Sequence, residues 1–441
     1  MNTAVSARPA IRAIDLPAWA GRLSLPWRLF LAAVALRLVS FLCFFLYSWF
    51  RGHGGFTDPH DPVEIDRWGW YIATQLHQGR LPDVRGVNLL GSWQVGFEYL
   101  VGFQYFLVGH HVAIPRLVNV ALAAFTAPAA YWAAQGAGLS RRVASRAGWL
   151  TALWPLSIYW SGYDLLKDPL IWFLVALALL SMTRLTGLRS GLSGALAAGG
   201  MLLVRIYLGV MLYALIPLGA LIRRDWRGLA ILVTLLTAAE AALVLGLHQP
   251  PIWSTAPYHG NGVSVSQGQA AGGGGGGAGS GSGDVAAAQI TGSGSDVATV
   301  VLTNDPRLIA KRLLVGGILA PTGPWFSFHR LLSPTVETGM YPGLAIWVLL
   351  IPFGVLGFVR AVRSRVPAVI NVAVLSITLW ASLAYLYAGT AYRQREMAFP
   401  ATLILVAIGL EGPLPRRWWW PVYALYILAG LAVLALHVQI T

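Results

Sequence analysis

Three short groups of charged residues interrupt a chain that is otherwise strongly apolar. The first group spans residues 58–66, the second residues 164–168, and the third residues 393–396. A charged side chain at the centre of a membrane span costs roughly 2.5 to 3.5 kcal/mol, so each group near a bilayer calls for a reason. Carboxylates can orient and deprotonate a hydroxyl, while guanidinium groups bind phosphate oxygens. These residue types therefore suit the binding of ligands that carry hydroxyl and phosphate groups.

The first group supplies four carboxylates, which are Asp58, Asp61, Glu64 and Asp66. The segment 62–79 is predicted to be an amphipathic helix, because apolar residues recur at helical spacing, at Ile65, Trp68, Ile72 and Leu76. That register places Asp66 and Trp70 on one face. Such a pair suits a sugar, whose apolar ring face stacks on an aromatic ring while its hydroxyls need acceptors. For Asp58 and Asp61, solvation of an outer loop is the simpler interpretation.

The second group places Lys167 between Asp164 and Asp168 in a turn between two apolar stretches. Lys167 is one of only two lysines in the chain. The cluster is either a structural ion pair or part of a binding site, and the sequence leaves both interpretations open.

The third group contains Arg393 and Arg395, which break the rule that positive charge stays on the cytoplasmic side. The planar guanidinium fork suits phosphate, so the pair is predicted to bind the headgroup of a lipid carrier. Anchoring to ordinary phospholipid headgroups is the alternative. Arg205 lies near the outer end of a predicted span, where it could join the phosphate site or serve a structural purpose.

The elements that carry these groups are predicted to be membrane spans. Hydrophobic residues make up 56% of the 441 residues and charged residues only 11%, against roughly 25% charged in soluble domains. A bilayer core requires about 20 apolar residues of helix. The predicted fold is an all-α polytopic bundle of about 11 spans, at 27–50, 112–134, 147–163, 168–184, 191–205, 207–222, 228–247, 340–360, 367–388, 396–411 and 418–438.

Orientation follows from the arginines between the spans. If segment 93–109 is only a juxtamembrane helix, the N-terminus is inside and nearly every arginine-bearing loop is cytoplasmic. Counting that segment as a span reverses this pattern. Whether residues 191–222 form one span or two is left open. The net charge of +14 is spread over these loops rather than along one face, so nucleic acid is not an expected partner. The predicted location is a bacterial inner membrane, with the charged groups on the outer face.

The predicted organisation has four parts. Residues 1–26 form a cytoplasmic segment, and 27–247 form a membrane half that carries the outer loop 51–111. Residues 248–339 form a second outer loop, whose glycine-rich insert 267–295 is expected to be flexible because it has little apolar surface to bury. Residues 340–441 complete the membrane part. Histidines occur near the outer side without tight metal spacing, so no metal is required, although a divalent metal stays open.

With these residues in view, residues 27–438 resemble the GT-C superfamily of membrane glycosyltransferases, especially the protein O-mannosyltransferase and aminoarabinose transferase branch. The resemblance is carried by several loose motifs: Asp66 with Trp70, Tyr71 and Ala73; Phe97-Glu98-Tyr99-Leu100; Leu166-Lys167-Asp168-Pro169; and Arg393-Gln394-Arg395. The Asp-Glu dipeptide usual in that superfamily is absent. The matching carboxylate is therefore Asp66, Glu64 or Asp61.

The resemblance implies an inverting glycosyltransferase that moves a sugar from a polyprenyl-phosphate carrier to a hydroxyl of a glycan, lipid or protein. Asp66 would be the catalytic base. The donor phosphate would bind Arg393, Arg395, Lys167 and Arg205. Sugar or acceptor contacts would come from Glu64, Trp70, Tyr71, Asp164 and Asp168. Two other functions stay open, an O-antigen-type polymerase or ligase and a flippase for lipid-linked glycans.

Overall fold

A computed structural model describes residues 23–58, 61–82, 95–247, 341–387 and 394–412, together with Trp420, Pro421, Tyr423, Ala424 and Leu428. Arg393, the glycine-rich insert 267–295 and most of the predicted span 418–438 lie outside these ranges. Every regular element in the described part is a helix. The predicted all-α class is therefore confirmed for that part of the chain.

The described residues form thirteen α-helices and one 3₁₀ helix. The first seven are α1 (Leu25–Phe50), α2 (Asp61–His77), α3 (Gly96–Val108), α4 (Ala113–Gly136), α5 (Arg141–Ala152), α6 (Pro155–Tyr163) and α7 (Asp168–Thr183). They are followed by α8 (Gly187–Val204), α9 (Ile206–Ile222), α10 (Trp226–Leu247), α11 (Tyr341–Arg363), α12 (Pro367–Tyr387), the 3₁₀ helix Gln394–Ala398 and α13 (Phe399–Gly409).

Five of these helices are long and apolar enough to cross a membrane. They are α1, α4 and α8, with the segments Ala345–Arg363 of α11 and Pro367–Ala384 of α12. The helices α7 and α9 are apolar but shorter. These features indicate a membrane protein, while the count of about 11 spans stays a prediction.

The predicted span 147–163 is in fact two helices. α5 ends at Ala152 and α6 begins at Pro155, with Trp154 in an extended conformation between them. A proline has no backbone N–H to donate and disfavours helical geometry in the residue before it, so a new helix begins there. The break directs the Trp154 indole towards the 3₁₀ helix, where it donates a hydrogen bond to Glu396.

Residues 191–222 are also divided between two helices, in agreement with the two-span alternative. Arg205 joins α8 to α9 in an extended conformation, with φ −149° and ψ 93°. Gly209 packs against Leu202, and Gly194 packs against Ile216 further from the turn. Contacts that pair positions in this reversed order define an antiparallel hairpin. Arg205 therefore lies at the tip of a hairpin.

Segment 93–109 contains a helix that is too short to cross a bilayer. α3 has 13 residues, which corresponds to about 20 Å against a hydrocarbon core of about 30 Å. It packs closely on α2, since a Cβ at Gly69 would meet Val101 and a Cβ at Gly102 would meet Ile72. The two helices form a unit, and α2 carries three carboxylates of the first group, Asp61, Glu64 and Asp66.

The contact between α11 and α13 predicts a sharp difference between two neighbouring glycines. A Cβ added at Gly357 would overlap the carbonyl oxygen of Leu405, whereas one added at Gly354 would lie 3.6 Å from Val406, an ordinary distance. We expect Gly357→Ala to reduce stability by about 1 to 3 kcal/mol because the two helix backbones must separate. Gly354→Ala is the matched control. Thermal unfolding in detergent compares them, and equal unfolding temperatures would contradict this packing.

Candidate functional site

Lys167 is the centre of a charged recess, which we define by Asp61, Glu98, Lys167, Asp168 and Arg205. Its side chain lies deep among protein atoms, yet part of it stays accessible to solvent. Burial lowers the pKa of Lys167, and the Arg205 charge lowers it further, while Glu98, Asp168 and Asp61 act in the opposite direction. Among the described residues, none holds the Lys167 ammonium by a hydrogen bond or a close ion pair.

Arg205 supplies the second cation of the recess from the tip of the α8–α9 hairpin. One terminal nitrogen lies 3.7 Å from Asp168 Oδ1, and the other donates a 2.6 Å hydrogen bond to the Tyr207 hydroxyl. Arg205 is 5% exposed. Two cations that repel each other at a partly accessible position favour an anionic ligand between them.

Glu98 faces Lys167 from α3, and it was not among the predicted site residues. The start of α3 packs on the end of α8, because a Cβ at Gly96 would meet Leu203. Glu98 is buried, and within the described ranges its Oε2 has no hydrogen-bond partner. Burial raises the pKa of this carboxyl, with the Lys167 charge opposing the shift. The signal for its importance was available, since Glu98 is the one charged residue in the α3 sequence.

The carboxylates of α2 face two different places. Asp61 acts electrostatically on Lys167, and Glu64 acts on Glu98, so the first turn of α2 adjoins the recess. Asp66 instead accepts a 2.5 Å hydrogen bond from the Tyr105 hydroxyl. Tyr105 lies seven residues beyond Glu98 on α3, which is about 10 Å along the helix axis. Asp66 is therefore placed towards the far end of α3.

Around Asp66 the structure assembles an aromatic cluster. His110 Nε2 lies 3.0 Å from Asp66 Oδ1, and the His110 ring stacks on Trp70 with centroids 4.8 Å apart. Trp70 is 40% exposed, so it has the accessible aromatic surface expected of it. Tyr71 contacts Trp68 edge to face on the other side of α2 and packs beside Val95. Trp70 and Tyr71 thus do not share one face.

Asp164 holds the backbone in place rather than facing the recess. It is completely buried, and its oxygens accept hydrogen bonds from the backbone N–H groups of Thr57, Asp58 and Leu165. Burial raises the pKa of its carboxyl, while the nearby Arg116 charge opposes the shift. Arg116 in turn donates to the carbonyl oxygen of Gly162 at 2.9 Å. These bonds fix the loop that presents Lys167.

The 3₁₀ helix brings Arg395 and Glu396 into the interior, with 2% and 1% exposure. Trp154 Nε1 donates a 2.7 Å hydrogen bond to Glu396 Oε2. The charges of Arg395, Arg37 and Asp168 all act on this carboxylate, the first two favouring its ionised form and the third opposing it. Asp168 is thus electrostatically coupled both to Glu396 and to the recess. Arg393 lies outside the described residues.

Arg37 is a further buried cation, midway along α1. It donates hydrogen bonds to the carbonyl oxygen of Ala152 at 3.2 Å and to the Ser157 hydroxyl. These contacts hold α1 against the α5–α6 break. Glu240 also lies near the middle of a predicted span, which would suggest an ion pair with Arg37, but its carboxylate lies beside the Tyr213 hydroxyl, 3.5 Å away.

The structure thus brings Lys167, Asp168 and Arg205 together and adds Glu98. In the described part of the chain, no group of three or more histidine, cysteine, aspartate or glutamate side chains could hold a metal ion. The described part of the chain is all-helical, of the membrane type, and contains an interior ionic site. No protein-family model matches the chain, and no curated protein or solved structure matches it either.

Proposed function

We propose that this protein is a membrane glycosyltransferase that takes a sugar from a polyprenyl-phosphate carrier. The observation that supports this most is the pair Lys167 and Arg205, two cations at a partly accessible recess in an apolar bundle. A phosphate bound there would satisfy both, and the carrier's hydrocarbon chain would remain in the bilayer. The resemblance to GT-C enzymes, based on loose motifs, points in the same direction.

In this proposal the phosphate is the leaving group. The acceptor oxygen forms a bond to the anomeric carbon while the bond from that carbon to the phosphate oxygen breaks, and the phosphate keeps the electron pair. A single displacement inverts the anomeric carbon. Lys167 and Arg205 stabilise the charge that grows on the phosphate, and the poorly hydrated surroundings strengthen this effect. Arg395 adds positive charge from the 3₁₀ helix, and Arg393 precedes it in the chain.

The acceptor hydroxyl must lose its proton to a carboxylate beside the recess. Of the three α2 candidates, we assign this role to Asp61, because it acts on Lys167 directly, whereas Asp66 is hydrogen-bonded to Tyr105 further along α3. The proton passes to Asp61 late in the displacement, since an ordinary aspartate is a weak base for an alcohol. Glu98 faces the donor sugar. Trp70 offers an exposed aromatic surface for the acceptor.

The proposed site opens on the outer face of a bacterial inner membrane. The arginine pattern of the loops supports this orientation, because it places the N-terminus inside and the turn that carries Lys167 outside.

Mass spectrometry of lipid extracts tests the proposed function in cells. A strain lacking the protein should accumulate one polyprenyl-phosphate sugar, because the donor is no longer consumed. Re-expression of the wild-type chain should clear it, and the matched variant Lys167→Gln should not. Unchanged lipid-linked sugars in the deletion strain would contradict the assignment.

A further inference from the structure

Glu396 lines a small cavity between the 3₁₀ helix and the helices α4, α5, α6 and α7. The cavity has a volume of about 10 Å³, which is room for about one water molecule. Its polar lining comes from Glu396 and from side chains of α4, α5, α6 and α7, namely Thr126, Thr151, Ser157 and Trp172. Over the described ranges, two buried atoms that belong to lining residues lack a hydrogen-bond partner, and they are Glu396 Oε1 and Trp172 Nε1.

Four groups act on the Glu396 carboxylate from the elements packed around it. Trp154 donates to one oxygen from the α5–α6 junction, and Arg395 is the neighbouring residue in the 3₁₀ helix. Arg37 adds a positive charge from α1, and Asp168 adds a negative charge from α7. The ionised carboxylate is therefore held by two cations and one N–H donor. Asp168 also forms an ion pair with Arg205, so it connects Glu396 electrostatically to the charged recess.

We propose that Glu396 takes up a proton when an anionic ligand binds in the charged recess, so that ligand binding is coupled to protonation. The inference rests on the proposed function for the identity of the anion, a phosphate ester. A phosphate near Lys167 and Arg205 adds negative charge on the side where Asp168 already destabilises the ionised form. This added negative charge favours the neutral acid.

The surroundings accept the neutral acid without rearrangement. The Trp154 N–H donates equally well to the carbonyl oxygen of a protonated carboxyl. The other oxygen would carry the new O–H, and a water molecule in the cavity can link it to the hydroxyl groups of Thr126, Thr151 and Ser157 in the cavity lining. Glu396 is 1% exposed, and one of its oxygens lacks a hydrogen-bond partner among the described residues, so its ionised form is poorly stabilised and a modest added negative charge shifts it towards the neutral acid.

Titration calorimetry in lipid nanodiscs tests the coupling. The probe is a short polyprenyl phosphodiester, such as farnesyl methyl phosphate, whose single ionised phosphate does not titrate between pH 6 and 9. Binding is measured at pH 8 in two buffers of different ionisation enthalpy, which gives the number of protons taken up. We expect the wild-type protein to take up a measurable fraction of a proton, about half at most, beyond the uptake of Glu396→Gln. Lys167 and Glu98 can also exchange protons when the anion binds. Because the wild-type protein and Glu396→Gln both contain them, their contribution cancels in the comparison.

Equal proton uptake by the two proteins, with binding intact, would overturn the inference and leave the proposed function standing. Failure of the phosphodiester to bind, or binding that Lys167→Gln leaves unchanged, would instead overturn the proposed function. Trp154→Phe provides a second variant, because it removes the N–H that stabilises the ionised carboxylate. Before ligand is added, Glu396 of this variant should bind its proton at a higher pH than in the wild-type protein. The proton uptake that accompanies ligand binding should therefore be largest at a higher pH. An unchanged pH profile would contradict the role of Glu396.

Discussion

Replacing Lys167 with glutamine is expected to lower sugar transfer by about a hundredfold to a thousandfold, because the leaving phosphate loses its most accessible cation. Donor binding should weaken as well, since Lys167 faces the phosphate before and during the reaction. Lys167→Arg should recover part of the activity, because it restores the charge with a different geometry. The measurement is transfer of a labelled sugar by the purified protein in nanodiscs, together with donor affinity.

A loss of folding is not expected to explain the effect. None of the described residues accepts a hydrogen bond from Lys167, and the repulsion with Arg205 that its removal relieves offsets the lost attraction to Glu98, Asp168 and Asp61. The unfolding temperature of Lys167→Gln should therefore stay close to that of the wild-type protein. Arg67→Gln serves as the matched control, since Arg67 is an exposed cation on α2. If Lys167→Gln transferred sugar within tenfold of the wild-type rate, Lys167 would not be part of the active site.

Much of the fold could be predicted from the chain because apolar stretches and charged loops are local properties. The helical register of segment 62–79 agrees with α2, and the division at Arg205 agrees with the two-span interpretation. The break at Pro155 was missed, because residues 147–163 form a continuous apolar run in which one proline looks tolerable. That break decides where Trp154 lies, and hence what holds Glu396.

The candidate site was predictable residue by residue but not as an arrangement. Lys167, Asp168 and Arg205 each attract attention as charges in apolar surroundings. Their meeting depends on how α7 packs beside the α8–α9 hairpin, which no spacing in the sequence encodes. Glu98 attracts less attention in the sequence, because it lies alone in an apolar segment outside the three charged groups.

The same limit applies to α2. Helical periodicity assigns Asp61 and Asp66 to different faces, but it does not tell which of those faces adjoins Lys167. The contacts of α3 decide this, since Tyr105 engages Asp66 while Glu98 lies near the recess.

The last expected result separates these two carboxylates. Asp61→Asn should reduce transfer by about a hundredfold, as loss of a positioned base does, while Asp66→Asn should stay within about tenfold of the wild-type rate. Asp66→Asn should instead lower the unfolding temperature, because the hydrogen bonds to Tyr105 and His110 weaken. Both variants are compared in the same transfer assay, with thermal unfolding alongside.

Donor affinity makes the comparison sharper. Removing the negative charge of Asp61 beside Lys167 should leave donor binding unchanged or slightly stronger, since the phosphate then meets less repulsion. Loss of the base therefore slows turnover at full donor occupancy, whereas loss of a residue that supports the phosphate site weakens donor binding. If Asp66→Asn shows that pattern and Asp61→Asn does not, the base is Asp66, and the α2–α3 unit must shift along its axis by about two helical turns to present it to the donor.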